Sequence, residues 1–383
     1  MFPVYADGTV DRVMKVDGPV RLRTRFLDLF LRHGAAGVAA TAVAMAPAAA
    51  TVLAVPAEAR MTAPVDAVAW RADARHLPDP VTAEPAAVHR FLDAAGPAER
   101  RALAAEFPGV VGALDGAPVA LRYLANRQSM LAAGAPYRDR DGQFLLFDPR
   151  GDGLIAQVFG DLSTADRIAV LVPGAGDRAA NFFRGVGGKL FRSTAVQAGN
   201  LYAAARDRGA VADRYAMIAW LGYDAPDGID LSAAREDVAQ TGAATLERFV
   251  AGLTAVRPHA TIALVGYSYG STVIGVAAHR LPAQVTDIAV VGSPGMGVDR
   301  ATRLGTTARI WAGLSTSDPM RWVPGVRLFG LGHGRQPADP AFGARVFRTD
   351  DVVDHDHYLF PGTDSLAAVA GIALLGTDGR AGS

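Results

Sequence analysis

Ser268 lies in Gly266-Tyr267-Ser268-Tyr269-Gly270, behind the apolar run Thr261-Ile262-Ala263-Leu264-Val265 and ahead of a small-residue helical stretch from Ser271 to His279. This pattern predicts a strand, a sharp turn and a helix, with a hydroxyl at the apex. G-x-S-x-G in that setting is a nucleophile elbow. A serine held at such a turn has a strained backbone, and glycines two residues to either side remove side chains that would collide there. The following helix turns its N-terminal amides toward the place where an oxyanion would develop. The chemistry is attack of a serine oxygen on a carbonyl carbon. A plain tight turn carries the same five letters. The β-branched strand and the Ala/Val/Gly helix around them favour the nucleophile.

A serine hydroxyl attacks poorly until a base takes its proton. After an elbow of this kind the chain order of the partners is Ser, then Asp or Glu, then His. Arg309-Ile310-Trp311-Ala312-Gly313 reads as a strand beyond the elbow, and its exit loop, Leu314 to Pro319, carries Asp318. The alternative for Asp318 is an ordinary Asp-Pro turn. The preceding strand exits through Gly292-Ser293-Pro294, which holds no acid. The base belongs in the loop after the last strand, Thr349 to Tyr358, where His355 and His357 compete among several carboxylates, with His333 a third candidate. An oxyanion needs two backbone amides. One is that of Tyr269, next to the nucleophile. The other is expected from Val172-Pro173-Gly174-Ala175-Gly176-Asp177, with Ala175 as the donor and Gly174 the near alternative.

That same loop fits a loose dinucleotide fingerprint, Gly174-x-Gly176-x-x-Ala179. The ribose-binding acid expected about 20 residues on is missing, since the next strand ends near Tyr223-Asp224. Gly187-Gly188-Lys189 is not a phosphate loop, because Phe183 and Leu190 stand where that motif needs Gly and Ser or Thr.

The elements that must position these groups can be read from periodicity. Near-continuous apolar runs at Arg167 to Val172, Ala216 to Leu221, Thr261 to Val265, Asp287 to Val291 and Arg309 to Gly313 predict strands covered on both faces. Shorter strands are expected at Phe144 to Phe147, Leu154 to Phe159 and Arg345 to Phe347. Helical patterns lie between them, notably Ser232 to Val256, so the sheet is expected to be mostly parallel. Upstream, helices are expected from Pro97 and from Pro118 toward Ala132. The division is residues 1–59 as a leader, 60–87 as a Pro/Ala/Asp-rich linker, 88–133 as a helical segment and 134–376 as the strand-bearing domain.

The chain has 383 residues, half of them hydrophobic, enough for a large core. Lys+Arg and Asp+Glu balance at 38 each, so the basic footprint of a nucleic-acid partner is absent. There is no cysteine, which excludes disulfides, thiolate nucleophiles and Cys-based zinc sites. Arg21, Arg23, Arg25 and Arg32 precede an uncharged stretch from His33 to Ala57, and Ala57-Glu58-Ala59 has small residues at the A-x-A positions. This layout predicts export or membrane association through residues 20–56, with a weakly structured leader of a cytoplasmic protein as the alternative.

Taken together, the elbow, Asp318 and a late histidine resemble the α/β-hydrolase superfamily. Within it the chain is similar to the actinobacterial α/β-hydrolase family of uncharacterised function. The resemblance rests on an ordered set: Pro97 to Leu103, Gly112 to Gly116, Ala125-Asn126-Arg127, Val172-Pro173-Gly174, the elbow, Gly292 to Gly295, Thr316-Ser317-Asp318-Pro319, and Tyr358 with Pro361-Gly362. It spans roughly residues 88–375. Where the family has Gly-His-Ser, this chain has Asp354-His355-Asp356, and the match selects His355 as the base. The resemblance implies an α/β-hydrolase fold, a mostly parallel sheet with helices on both faces, preceded by a helical N-terminal segment. It also implies hydrolase chemistry and offers no substrate; the serine, acid and base themselves lead us to expect a small-molecule or lipid-like acyl substrate, with no cofactor and no metal. An acyltransferase on the same residues, or a non-catalytic binding protein on an inherited fold, are the alternatives. The short span from Pro294 to Ala308 leaves little room for a cap, so a lid would come from the N-terminal helices or from Met320 to Ala344.

Overall fold

Period-two patterning decides which way each strand residue faces. In β3 (Arg167–Val172), Ile168, Val170 and Val172 enter one core, and Ala169 and Leu171 enter the other. In β4 (Tyr215–Leu221), Ala216, Ile218 and Trp220 share the first core, and Tyr215, Met217, Ala219 and Leu221 the second. A strand that is apolar on both faces must be covered on both faces. The computed structural model describes residues 63–228, 236–325 and 332–376, and within them it shows this arrangement.

Eight strands form one sheet in the order β1-β2-β4-β3-β5-β6-β7-β8. The remaining strands are β1 (Gln143–Asp148), β2 (Leu154–Gly160), β5 (Thr261–Tyr267), β6 (Val285–Val291), β7 (Arg309–Gly313) and β8 (Arg345–Val346). β1 and β2 pair antiparallel, as do β2 and β4, and every other pairing is parallel. The expected strands appear within two residues of their expected ends.

Upstream lie α1 (Ala67–Arg71), α2 (Pro85–Ala94), α3 (Pro97–Glu106), α4 (Pro108–Ala113) and α5 (Val119–Ala133). α6 (Thr194–Asp207) and α9 (Asp364–Ala373) supply the second core; α7 (Glu236–Val256) and α8 (Gly270–Ala277) supply the first. Pro85, Pro97 and Pro108 each open a helix, where a missing N–H costs nothing.

Residues 63–87, expected as a linker, are packed instead. Trp70 of α1 is fully buried with Leu92, Leu103 and Val110, and its indole N–H donates to the Pro78 carbonyl at 2.7 Å. One large aromatic side chain outweighs the Pro/Ala/Asp composition around it. The leader, residues 1–59 with the span 20–56, lies outside the described residues. Among the described residues no helix is long and apolar enough to cross a membrane.

Strand order decides which loops can meet. In an open parallel sheet, the loops at the carboxyl ends converge on a crevice. β5 lies between β3 and β6, so the exit of β3 flanks its carboxyl end on one side and the exits of β6 and β7 approach from the other.

Candidate active site

Ser268 follows the last residue of β5 and takes a left-handed backbone, φ 51°. A side chain at positive φ is strained by about 1 to 3 kcal/mol, and the surroundings must over-determine it. They do. The Ser268 amide donates to the Val291 carbonyl at 3.0 Å, while its own carbonyl accepts from the Ser271 amide at 3.0 Å and the Ser271 hydroxyl at 2.5 Å. Gly270 lets α8 seat against β3, since a Cβ there would stand 2.2 Å from the Val172 carbonyl oxygen. Ser268 itself is buried, 7% exposed.

The three widely separated residues are brought into line. His355 Nε2 is 2.9 Å from Ser268 Oγ, and His355 Nδ1 is 2.9 Å from Asp318 Oδ2. The carboxylate can only accept, so Nδ1 carries the proton and Nε2 is left to accept from the serine hydroxyl. Asp318 is buried in the exit loop of β7, and its Oδ1 accepts from the Met320 amide at 2.7 Å, capping the turn at Pro319–Trp322. The Asp-Pro turn and the partner of an imidazole are therefore the same residue.

The competing histidines go elsewhere. His357 Nδ1 lies 2.6 Å from Asp354 Oδ1, and its ring stacks on Phe191 at 4.5 Å. His333 Nδ1 lies 3.5 Å from Thr272 Oγ1, and its ring meets Tyr269 edge-on at 5.8 Å. His333, in the segment Met320 to Ala344, thus packs against the start of α8. Another carboxylate of this loop, Asp356, faces Arg192 at 3.2 Å and accepts from the Tyr267 hydroxyl at 3.2 Å.

The loop after β3 runs beside Ser268: a Cβ on Gly174 would stand 2.8 Å from the Ser268 Cβ. The Gly176 amide is committed to the Pro226 carbonyl at 2.7 Å. This leaves the Gly174 and Ala175 amides as the two candidate donors expected from this loop. The buried Tyr223 hydroxyl donates to the Pro173 carbonyl at 2.7 Å and holds the loop at its start. Asp177 at its end is buried, and Thr194 Oγ1 donates to its Oδ1 at 2.7 Å. Burial pushes this carboxyl up to about 7, against the Thr194 hydrogen bond and the charge of Arg192.

One contact was not legible in the sequence. The Tyr358 hydroxyl donates to Asp318 Oδ2 at 2.7 Å. Its position three residues past His355, in a loop that must fold back on the acid, is the available signal. Among the described residues no group of three or more His, Asp or Glu side chains is placed to hold a metal ion.

Comparison with known proteins agrees with this architecture. A family model described as Alpha/beta hydrolase matches residues 148–328. An uncharacterized protein of Mycobacterium bovis is 31% identical over 242 residues, covering 61% of this chain and 79% of that protein. The chain belongs to the α/β-hydrolase family. An uncharacterized protein of Mycobacterium tuberculosis is 28% identical over 380 residues, covering 78% of this chain; the chain spans 56% of that relative's length. Among solved structures, esterase PE8 aligns at 17% identity over 57% of this chain and 96% of that one, with a TM-score of 0.37.

Proposed function

We propose that this α/β-hydrolase cleaves an ester-type bond, a carboxylic ester, thioester or amide of a small-molecule or lipid-like acyl substrate, through an acyl-enzyme on Ser268. The observation that carries this reading is the His355 ring, 2.9 Å from Ser268 Oγ on one side and 2.9 Å from Asp318 Oδ2 on the other. Nε2 takes the hydroxyl proton as Oγ attacks the carbonyl carbon. Asp318 holds the ring in the tautomer that can accept and stabilises the imidazolium that results. The amides of Tyr269 and Ala175 receive the oxyanion of the tetrahedral intermediate. The imidazolium then gives its proton to the leaving group. Water, deprotonated by the same nitrogen, attacks the acyl carbon and frees Ser268.

The test is covalent labelling with a fluorophosphonate probe, read by intact mass, beside turnover of a p-nitrophenyl acyl ester panel. The protein is expected to gain one probe adduct. Ser268→Ala is expected to gain none, with turnover reduced by about 10⁴-fold or more. Labelling that survives in Ser268→Ala, or a wild-type protein that neither labels nor turns over any ester, overturns the reading.

A further inference from the structure

Asp318 Oδ2 is shared. It takes the His355 N–H at 2.9 Å and the Tyr358 hydroxyl at 2.7 Å. The phenol oxygen has a second partner, accepting from the Ser315 amide at 2.9 Å. Ser315 belongs to the loop after β7, as Asp318 does, whereas Tyr358 and His355 belong to the loop after β8. A second bond joins the same two loops, since Ser315 Oγ donates to the Val352 carbonyl at 2.6 Å. Tyr358 is fully buried. Burial and the neighbouring Asp318 charge push its phenol well above the ordinary range, so it remains a donor throughout the working pH range. Its ring also walls the imidazole. The two rings meet edge-on at 6.5 Å, and both press on Gly292, where a Cβ would stand 2.9 Å from His355 Cε1 and 3.0 Å from Tyr358 Cε2.

We propose that Tyr358 is a positioning residue for the Ser268–His355–Asp318 relay: its phenol locks the acid loop to the base loop and sets how much of the Asp318 charge the imidazole receives. The inference rests on the serine hydrolase reading of this site. A carboxylate oxygen that accepts two hydrogen bonds divides its attraction between them. Removing the phenol hydroxyl leaves the imidazole N–H as the sole partner of Oδ2 and leaves the buried Ser315 amide without an acceptor. Asp318 then gains freedom to rotate, which lowers turnover. The imidazolium is also held more strongly, so His355 keeps its proton to higher pH. Other titratable groups near the imidazole are Asp354, paired with His357; Asp356, facing Arg192; and Tyr267, which donates to the His355 carbonyl at 3.2 Å. None of these is altered by the substitution.

The experiment compares full-length wild type, Tyr358→Phe and a protein carrying 3-fluorotyrosine at position 358. Turnover of a p-nitrophenyl ester is followed from pH 5 to 9, and competent sites are counted by fluorophosphonate labelling. Tyr358→Phe is expected to lose about tenfold or more in kcat per labelled site with KM little changed. The acid limb of its kcat/KM profile moves up by about half a pH unit. Fluorotyrosine, a stronger donor in the same place, moves that limb down. A residue that merely fills space would lower the number of labelled sites and leave the limb where it was. An unmoved acid limb in both variants overturns the proposal, and if Tyr358→Phe does not fold, an unmoved limb in the fluorotyrosine protein overturns it alone. Failure of the wild type to label would instead sink the hydrolase reading itself.

Discussion

Two buried aspartates sit at opposite ends of neighbouring strands and are held in opposite ways. Asp287, near the amino end of β6, is 0% exposed. Arg309 grips it with two N–H groups, at 2.7 and 2.5 Å; the Trp311 indole donates at 2.9 Å and the Thr286 hydroxyl at 3.0 Å. Its charge is answered by a guanidinium that never deprotonates. Asp318, beyond the carboxyl end of β7, is 1% exposed. Its partners are a backbone amide, a phenol and an imidazole, and among the described residues none of the ion pairs joins it to an arginine or lysine. A permanent cation would consume the charge that an imidazolium is to use. The amino end of the sheet therefore carries a carboxylate spent on cohesion. On the proposed mechanism, the carboxyl end keeps one whose full counter-charge appears only when His355 takes up a proton.

The contrast breaks most sharply by exchange of one atom in each. Asp318→Asn keeps shape but presents an amide that can turn its N–H₂ to the ring, which then adopts the wrong tautomer. Ester turnover is expected to fall by about 10³- to 10⁴-fold, with the urea midpoint little changed. Turnover within tenfold of wild type would mean that Asp318 is only a turn cap. Asp287→Asn is expected to show the reverse. It leaves Arg309 facing a neutral group in a mostly buried site and costs about 3 kcal/mol of stability by urea unfolding. Turnover per folded molecule stays within about threefold. Loss of activity without loss of stability would place Asp287 in the chemistry and end the comparison.

The same physics decides how much of this was legible in the sequence. The strands of a sheet covered on both faces advertise themselves as apolar runs, and β3, β5 and β7 lie where those runs lie. The elbow was legible because strand, glycine and small-residue helix must coincide there. Asp318 followed from chain order. His355 and His357 stand two residues apart in one polar loop, and the residues alone left them open; which ring turns toward Ser268 depends on the path of the loop, here fixed by Asp354 and Phe191 capturing His357. The Tyr358 contact was hidden because it joins two loops through a buried oxygen. The Asp287–Arg309 pair was hidden because both residues read as polar strand starts. Trp70 was hidden by its prolines and alanines.

A third buried aspartate sharpens the comparison at the smallest scale. Asp177, like Asp318, lies in a loop beyond a strand's carboxyl end, but among the described residues the Thr194 hydroxyl is its single hydrogen-bond donor. One neutral donor does not offset burial, and the carboxyl rises to about 7. An acid whose folded value lies above its unfolded value binds a proton in the native state that the unfolded chain has already released. Its stabilising effect is complete below about pH 4 and is lost as pH rises through about 7, at up to about 1.4 kcal/mol per pH unit in between. Asp177→Asn keeps an acceptor for Thr194 and has no proton to lose. Urea unfolding of both proteins at pH 5, 6, 7 and 8 isolates this one group, because every other titration is common to the pair. The variant is expected to gain on the wild type steadily from pH 5 to 7 and to hold that gain at pH 8. Parallel stability curves would show that Asp177 keeps its charge when buried, and that the number of donors does not govern these three carboxylates.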